Sequence, residues 1–375
     1  MVRLVPAIVV SALVIAVGPF VADIRDALKE GLGDAFRPVL ATAFAVPVAA
    51  VVAAVVIRIR DDRVRRWALL VAGLGLMAGQ LFGWNRPEAD VNAVERIHFV
   101  FYGAVTVLFF RAYRHRGDLS TLALTWASAA IVAILDEGVQ WASEVRTGEI
   151  FDVGINVYAT VCTLLVCLAW SGPRHMEWRL PAASIAPVTR LLAVATVVLA
   201  AFLHLAHLGY ETVDPDIGSF RSFFATDELR RVSRQRQAEW ADQPPGPLAP
   251  LNLEDYFRTE AGWHVRHRNE ALGAGDFYVA AKENDILEAY YAPFLDLPNA
   301  VGRPFAFNPD ERRRTEAGRP RPDPYPYTSA VFREPLRIWI RPSKPVLWLV
   351  TAVAAGLLLA APQIRRITVT GYLSR

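Results

Sequence analysis

The chain has 375 residues, 53% of them hydrophobic, with a mean hydropathy of +0.26 and a formal net charge of +3. That apolar content exceeds what a soluble enzyme of this length needs, and the near-neutral charge gives no bulk basic field for nucleic acid. Cys162 and Cys167 share one apolar run, which argues against a disulfide framework and a cysteine-based zinc site.

Eight segments are long and apolar enough to be read as membrane spans of roughly 20 residues. In order they are about Leu4–Ala22, Pro38–Ile57, Trp67–Phe82, Ile97–Phe110, Thr121–Trp141, Val153–Trp170, Leu191–Leu208 and Val346–Ala361. The third and fourth are short and borrow flanking residues. The first resembles a signal peptide in length, but Arg3 alone makes a weak basic region and Phe20-Val21-Ala22 a poor cleavage site. An uncleaved span is expected.

The loops set the orientation. Arg58, Arg60, Arg63, Arg65 and Arg66 separate the second and third spans, and Arg111, Arg114 and Arg116 follow the fourth. Arg174 and Arg179 follow the sixth, Arg365 and Arg366 the eighth. Every second loop is arginine-rich, so the positive-inside rule puts these loops and both termini in the cytoplasm. The expected fold class is an all-α polytopic membrane protein of about eight transmembrane helices, with an irregular extracytoplasmic segment between the last two. Gly75, Gly79 and Gly83 recur every four residues in the third span, as do Ala352, Gly356 and Ala360 in the eighth. Small residues at that spacing suit close helix packing in lipid.

The expected outer segment, about 209–344, differs in composition. Asp227–Gln243 has helical spacing and ends at Pro244-Pro245-Gly246-Pro247; Asp276–Tyr291 is helical in part. The proline-rich run from Asn299 to Tyr327 reads as extended or turn backbone without a helix. Leu336–Ile340 alternates like a short strand. With few core signals, the segment reads as a small irregular cap.

Chemistry concentrates around Leu135–Asn156. Asp136, Glu137 and Gln140 close the fifth span, Arg146 occupies the loop, and Asp152 and Asn156 open the sixth. Glu95, His98 and Tyr102 stack on one face at the start of the fourth. Ionisable groups at a span are costly and mark a candidate functional site. Their carboxylates suit proton transfer or, with His98, a divalent metal, while Arg146 suits a phosphate or carboxylate. No nucleophile with an orienting base and no complete metal set is readable, so no catalytic residue, metal or cofactor is assigned. The plain alternative is pairing and helix capping among these residues. Asp152 fits that at a helix N-terminus, whereas Asp136 and Glu137 at a C-terminus oppose the dipole. His204 and His207 read as interfacial, and His264 and His267, with Arg266 and Arg268, as a solvated face.

Glu95-Arg96-Ile97-His98 with Tyr102-Gly103, followed by Asp136-Glu137, Gln140, Arg146, Asp152 and Asn156, resembles the two signatures of the VanZ-like family of bacterial membrane proteins. The resemblance covers about 66–171. It implies a four-helix membrane domain in the bacterial inner membrane, in a family named for a role in glycopeptide resistance and with no established reaction. The chain departs from the pattern at Tyr158, Ala159 and Thr160, where glycines are expected. Outside it lie two N-terminal spans (1–65), a cytoplasmic loop and seventh span (172–208), the outer segment (209–344) and the last span with its tail (345–375). The expected partners are the bilayer and an envelope ligand or amphiphile. The alternative is a larger membrane assembly, such as a respiratory or photosynthetic complex, in which the chain is an accessory subunit.

Overall fold

The computed structural model describes residues 2–83, 96–142, 148–243, 245, 255–299, 302–318, 326–332 and 336–373. Glu95 and Arg146 therefore lie outside the described residues. The chain divides into two compact units, one comprising 1–140, 148–202 and 348–375, the other 141–147 and 203–347.

The first unit is helical. Its helices are α1 (Val5–Val17), α2 (Val21–Leu32), α3 (Phe36–Arg58), α4 (Arg63–Gly83), α5 (Ile97–Tyr113), α6 (Ser120–Trp141), α7 (Ile150–Ser171) and α8 (Ala182–Ala206), with Lys344–Leu373 closing the chain. Seven helices among the described residues are long and apolar enough to cross a membrane. The expected fourth span corresponds to α5, whose 17 described residues leave it outside that set.

Packing centres on α7, which receives α4 and α5, with α3 against both α5 and α7. A Cβ on Gly73 would stand 2.9 Å from the Cys162 carbonyl, so α4 and α7 come close there. Gly75, Gly79 and Gly83 meet nothing within 4 Å, so the close packing expected of them is not made within the described residues. One arginine of the basic stretch before the third span finishes a neighbouring helix. Buried Arg66 donates through Nε to Ala169 O at 2.7 Å and through Nη2 to Trp170 O at 2.9 Å. It thereby satisfies carbonyls in the last turn of α7, where a cation also complements the dipole. Asp61 holds the same guanidinium at 2.5 Å.

The second unit corrects the expectation of an irregular segment. It contains the hairpin β1 (Tyr210–Asp214) and β2 (Gly218–Ser222), then α9 (Thr226–Asp242), α10 (Tyr256–Ala274), α11 (Phe277–Tyr290), α12 (Ala292–Leu295) and α13 (Pro309–Gly318). Phe220, Leu229, Phe257, Ile286, Tyr290 and Phe294 share one buried core with Tyr291 and Tyr327. Helices α9 and α11 fall where spacing predicts them. Helix α10 is capped by Asp255, which accepts Arg258 N at 3.3 Å, and ends at Gly275 in the left-handed region.

Helix α13 overturns the exclusion of a helix from the proline-rich run. Asn308 Oδ1 accepts Asp310 N and Glu311 N at 2.9 Å each, and Glu311 Oε2 accepts Asn308 N at 2.9 Å. This reciprocal cap, with Pro309 at the first helical position, starts a helix between two prolines that would stop one elsewhere. The strand expected at Leu336–Ile340 is reduced to a single bridge, Leu208 with Trp339.

Candidate functional site

In the first unit, α5 and α7 face each other through two polar stripes with helical spacing. His98, Tyr102 and Thr106 recur every fourth residue on α5, and Asn156 and Thr160 do so on α7. His98 Nδ1 lies 2.7 Å from Asn156 Oδ1, and Thr106 Oγ1 lies 3.3 Å from Thr160 Oγ1. Between these rungs Tyr102 turns to α6, where its hydroxyl donates to Asp136 Oδ2 at 2.9 Å. Tyr102, Asp136, Glu137, Gln140 and Asn156 are all buried, and His98 is half-buried. Burying two adjacent carboxylates costs several kcal/mol per ion, which only such bonds and nearby charge can offset.

Glu137 resolves the objection that an acid near a helix C-terminus opposes the dipole. Its Oε2 accepts the backbone N–H of Glu149 at 3.1 Å, while Gln140 Nε2 donates to Oε1 at 3.2 Å. Glu149 is the N-cap residue of α7 and forms no side-chain cap of its own. Glu137 therefore caps the next helix rather than its own, and lies at a positive dipole end. Asp152, expected as that cap, sits instead in the first turn of α7, half-buried and one turn before Asn156.

Gly18 belongs to this site and is not readable as a member from sequence. A Cβ there would stand 2.6 Å from Asp136 Oδ1 and 3.3 Å from Gln140 Cγ. The break after α1, at Gly18-Pro19, thus brings bare backbone against the buried carboxylate. Asn156 Nδ2 has no hydrogen-bond partner among the described residues despite complete burial.

The second unit holds another buried polar network. Glu260, in α10, accepts Ser222 Oγ at 2.6 Å, Phe223 N at 2.7 Å and the Tyr291 hydroxyl at 2.6 Å. Glu283, in α11, accepts His264 Nδ1 at 2.5 Å, His267 Nδ1 at 3.1 Å and the Tyr327 hydroxyl. Tyr327 is placed by its backbone, since its carbonyl accepts Ser219 N at 2.8 Å beside Gly218, whose φ is +123°.

Burial raises the Glu260 carboxyl, its hydrogen bonds offsetting only part of the effect. Burial would raise Glu283 too, but His264 beside it and bonds from His264, His267 and Tyr327 hold it well below the ordinary carboxylate range. The bond to Glu283 raises His267. Arg268, whose Nη2 reaches Phe305 O at 2.6 Å, is pushed down to about 10 by burial. His264 is 1% exposed, so the solvated face expected for it is incorrect: α10 turns this residue into the core, while His267, one turn on, keeps an edge in solvent.

Compared with family models, curated proteins and solved structures, the chain matches none.

Of the candidate residues named from sequence, the structure joins His98 to Asn156, Tyr102 to Asp136, and Gln140 to Glu137. It adds Gly18, Thr106, Glu149 and Thr160. The threonines carried a signal, as each continues a polar stripe by four residues. Gly18 and the Glu149 amide carried none.

Proposed function

We propose that the chain is a VanZ-like protein of the bacterial inner membrane, crossing it eight times with both termini in the cytoplasm. In this reading α5 joins the seven longer helices as the fourth span in chain order, making eight, and the arginine-rich loops set the orientation. The polar cluster then lies at the outer surface, and its role is to bind the polar part of an envelope ligand or amphiphile without catalysing a reaction. The supporting observation is the convergence of Tyr102, Asp136, Glu137 and Asn156 from three apolar helices, all buried, with Asn156 Nδ2 left without a partner among the described residues. Purely structural pairing gives no reason to leave that donor unused at a cost of about 1–3 kcal/mol.

The test is host sensitivity to glycopeptide antibiotics, the phenotype suggested by the family resemblance. Asp136→Asn and Tyr102→Phe should abolish the protein's effect while it accumulates normally. Loss of folded protein in both variants would favour pairing alone.

A second reading, an accessory subunit of a membrane assembly, draws support from Gly75, Gly79 and Gly83, whose faces meet nothing among the described residues. Its other motive is weaker, because the segment 203–347 builds its own core instead of depending on a partner for one. A lone monomer after mild-detergent purification would count against it.

A further inference from the structure

Where α4 begins beside the last turn of α7, arginine is in excess over acid. Segments 58–66 and 173–179 carry seven arginines and three acids. Each acid is already paired: Asp61 with Arg66 at 2.5 Å, Asp62 with Arg174 at 3.5 Å and Glu177 with Arg179 at 3.1 Å. Arg58 lies over the Trp170 ring at 4.7 Å, and Arg63 donates to Arg60 O at 3.3 Å. Arg65 is exposed and makes no hydrogen bond or ion pair among the described residues. It stands in the first turn of α4, where a cation opposes the helix dipole. Arg66 offsets that cost by closing α7, whereas Arg65 offsets none of it among the described residues.

Arg65 borders an open cleft of about 520 Å³, lined further by Ala68, Leu69 and Ala72 of α4 and by Pro173 and Trp178. The three α4 residues follow Arg65 by three, four and seven positions, so they continue its face for roughly 10 Å along the helix. Charge and apolar wall therefore belong to the same cleft and lie along the same span. Trp178 is held in place by its neighbours' backbone. Glu177 N donates to Gly117 O at 2.8 Å, Leu119 N donates to Arg179 O at 3.2 Å, and the indole Nε1 donates to Pro173 O at 3.2 Å. Pinned on both sides, the indole is still 57% exposed, an ordered apolar surface that the described chain leaves uncovered.

We infer that this cleft seats one anionic phospholipid of the bilayer, its phosphate gripped by Arg65 and the start of one acyl chain laid along Ala68, Leu69 and Ala72 beside Trp178. The inference rests on the membrane-spanning reading and not on the polar cluster. A guanidinium matches two phosphate oxygens at once, and an indole suits the headgroup boundary. The excess arginine favours a lipid of net negative charge over a zwitterionic one. An acidic peptide would use the charge but has no counterpart for an apolar wall running along a span. Inorganic phosphate would leave that wall bare.

The full chain is reconstituted in phosphatidylcholine vesicles containing a trace of phosphatidylglycerol with a diazirine near the carboxyl end of one acyl chain. Adducts are mapped by mass spectrometry. They are expected at Leu69, Ala72 and Trp178, competed by plain phosphatidylglycerol but not by inorganic phosphate, and several-fold weaker with a phosphatidylcholine probe. Arg65→Gln should lower them about fivefold, as for one arginine removed from an anionic surface. Ala72→Leu, which fills the groove from an exposed position, should lower them with thermal unfolding unchanged. Arg63→Gln removes the same charge beside the cleft without touching its lining and should lower them less than about twofold. Adducts at exposed Leu357 should be the same in every variant.

Equal losses for Arg63→Gln and Arg65→Gln would mean a diffuse basic surface, and competition by inorganic phosphate would mean a soluble-anion site. Either result overturns the inference, as do cleft adducts no denser than those at Leu357. Adducts at Leu357 without cleft adducts refute the lipid site and leave the spanning reading standing. Adducts at neither remove both.

Discussion

Replacing Glu283 by leucine tests whether the second unit depends on its buried polar network. The carboxylate is fully buried and receives His264, His267 and Tyr327. Without it, His264 Nδ1 and the Tyr327 hydroxyl lose their partner inside the core, whereas partly exposed His267 can turn to water. Two orphaned buried groups at about 2 kcal/mol each give a loss of about 4 kcal/mol. That agrees with the 3–5 kcal/mol, roughly, for removing one member of a buried pair. For a unit of this size the shift in midpoint is on the order of 10 °C. Glu283→Gln keeps an acceptor and should fall between wild type and Glu283→Leu. The assay is urea and thermal unfolding of the full chain in detergent, read through Trp240, which packs edge-on to Phe257 in that core. Glu270→Leu, at an exposed ion pair with Arg266, is the control and should change stability by less than about 0.5 kcal/mol. If Glu283→Leu loses no more than that control, the network does not hold the unit together and the reasoning fails.

The pair should also give the unit a characteristic pH profile. His267 is raised above 6.5, so its contribution is complete below that pH and fades as pH rises through its folded value; Glu283 is lowered from 4.5, so its contribution is complete above 4.5 and fades in acid. Unfolding midpoints measured across pH should therefore peak between these values, with the raised Glu260 drawing the maximum toward the acid end, and His267→Gln should flatten mainly the alkaline side. In the first unit, Gly18→Val should destabilise by about 1–3 kcal/mol, because its Cβ meets Asp136 Oδ1 and buried backbone has little room to yield. A normal yield and melting temperature of that variant would refute the close approach. Arg66→Met removes two donors from the last turn of α7 and should cost about 2–3 kcal/mol. Faster amide exchange confined to that turn is the expected signature.

Local chemistry carried much of this protein. Apolar runs of membrane length became helices, because backbone polar groups in lipid must be satisfied within the segment. Candidate residues separated by three or four positions fell on shared faces, since that spacing is fixed by the helix itself. Even the reversal at α13 was local: Asn308-Pro309-Asp310-Glu311 is a helix start, and weighing prolines by number hid what weighing them by position reveals.

Partners far apart in sequence were decided only by the fold. His264 and Glu283 are 19 residues apart, and Glu283 and Tyr327 are 44 apart. Whether a histidine among arginines points to water or to a carboxylate depends on how α10 is rotated against α11, which its own sequence leaves open. Glu137 shows the same limit, since its awkward place on α6 makes sense only once the start of α7 is beside it. Gly18 meets Asp136 across more than 100 positions through the absence of a side chain, and an absence has no pattern to read. Sequence determined where charge enters the apolar helices, because helical spacing and the burial cost of charge are properties of short segments. Tertiary structure decided what that charge touches, because orientation between helices is set by packing over the whole unit.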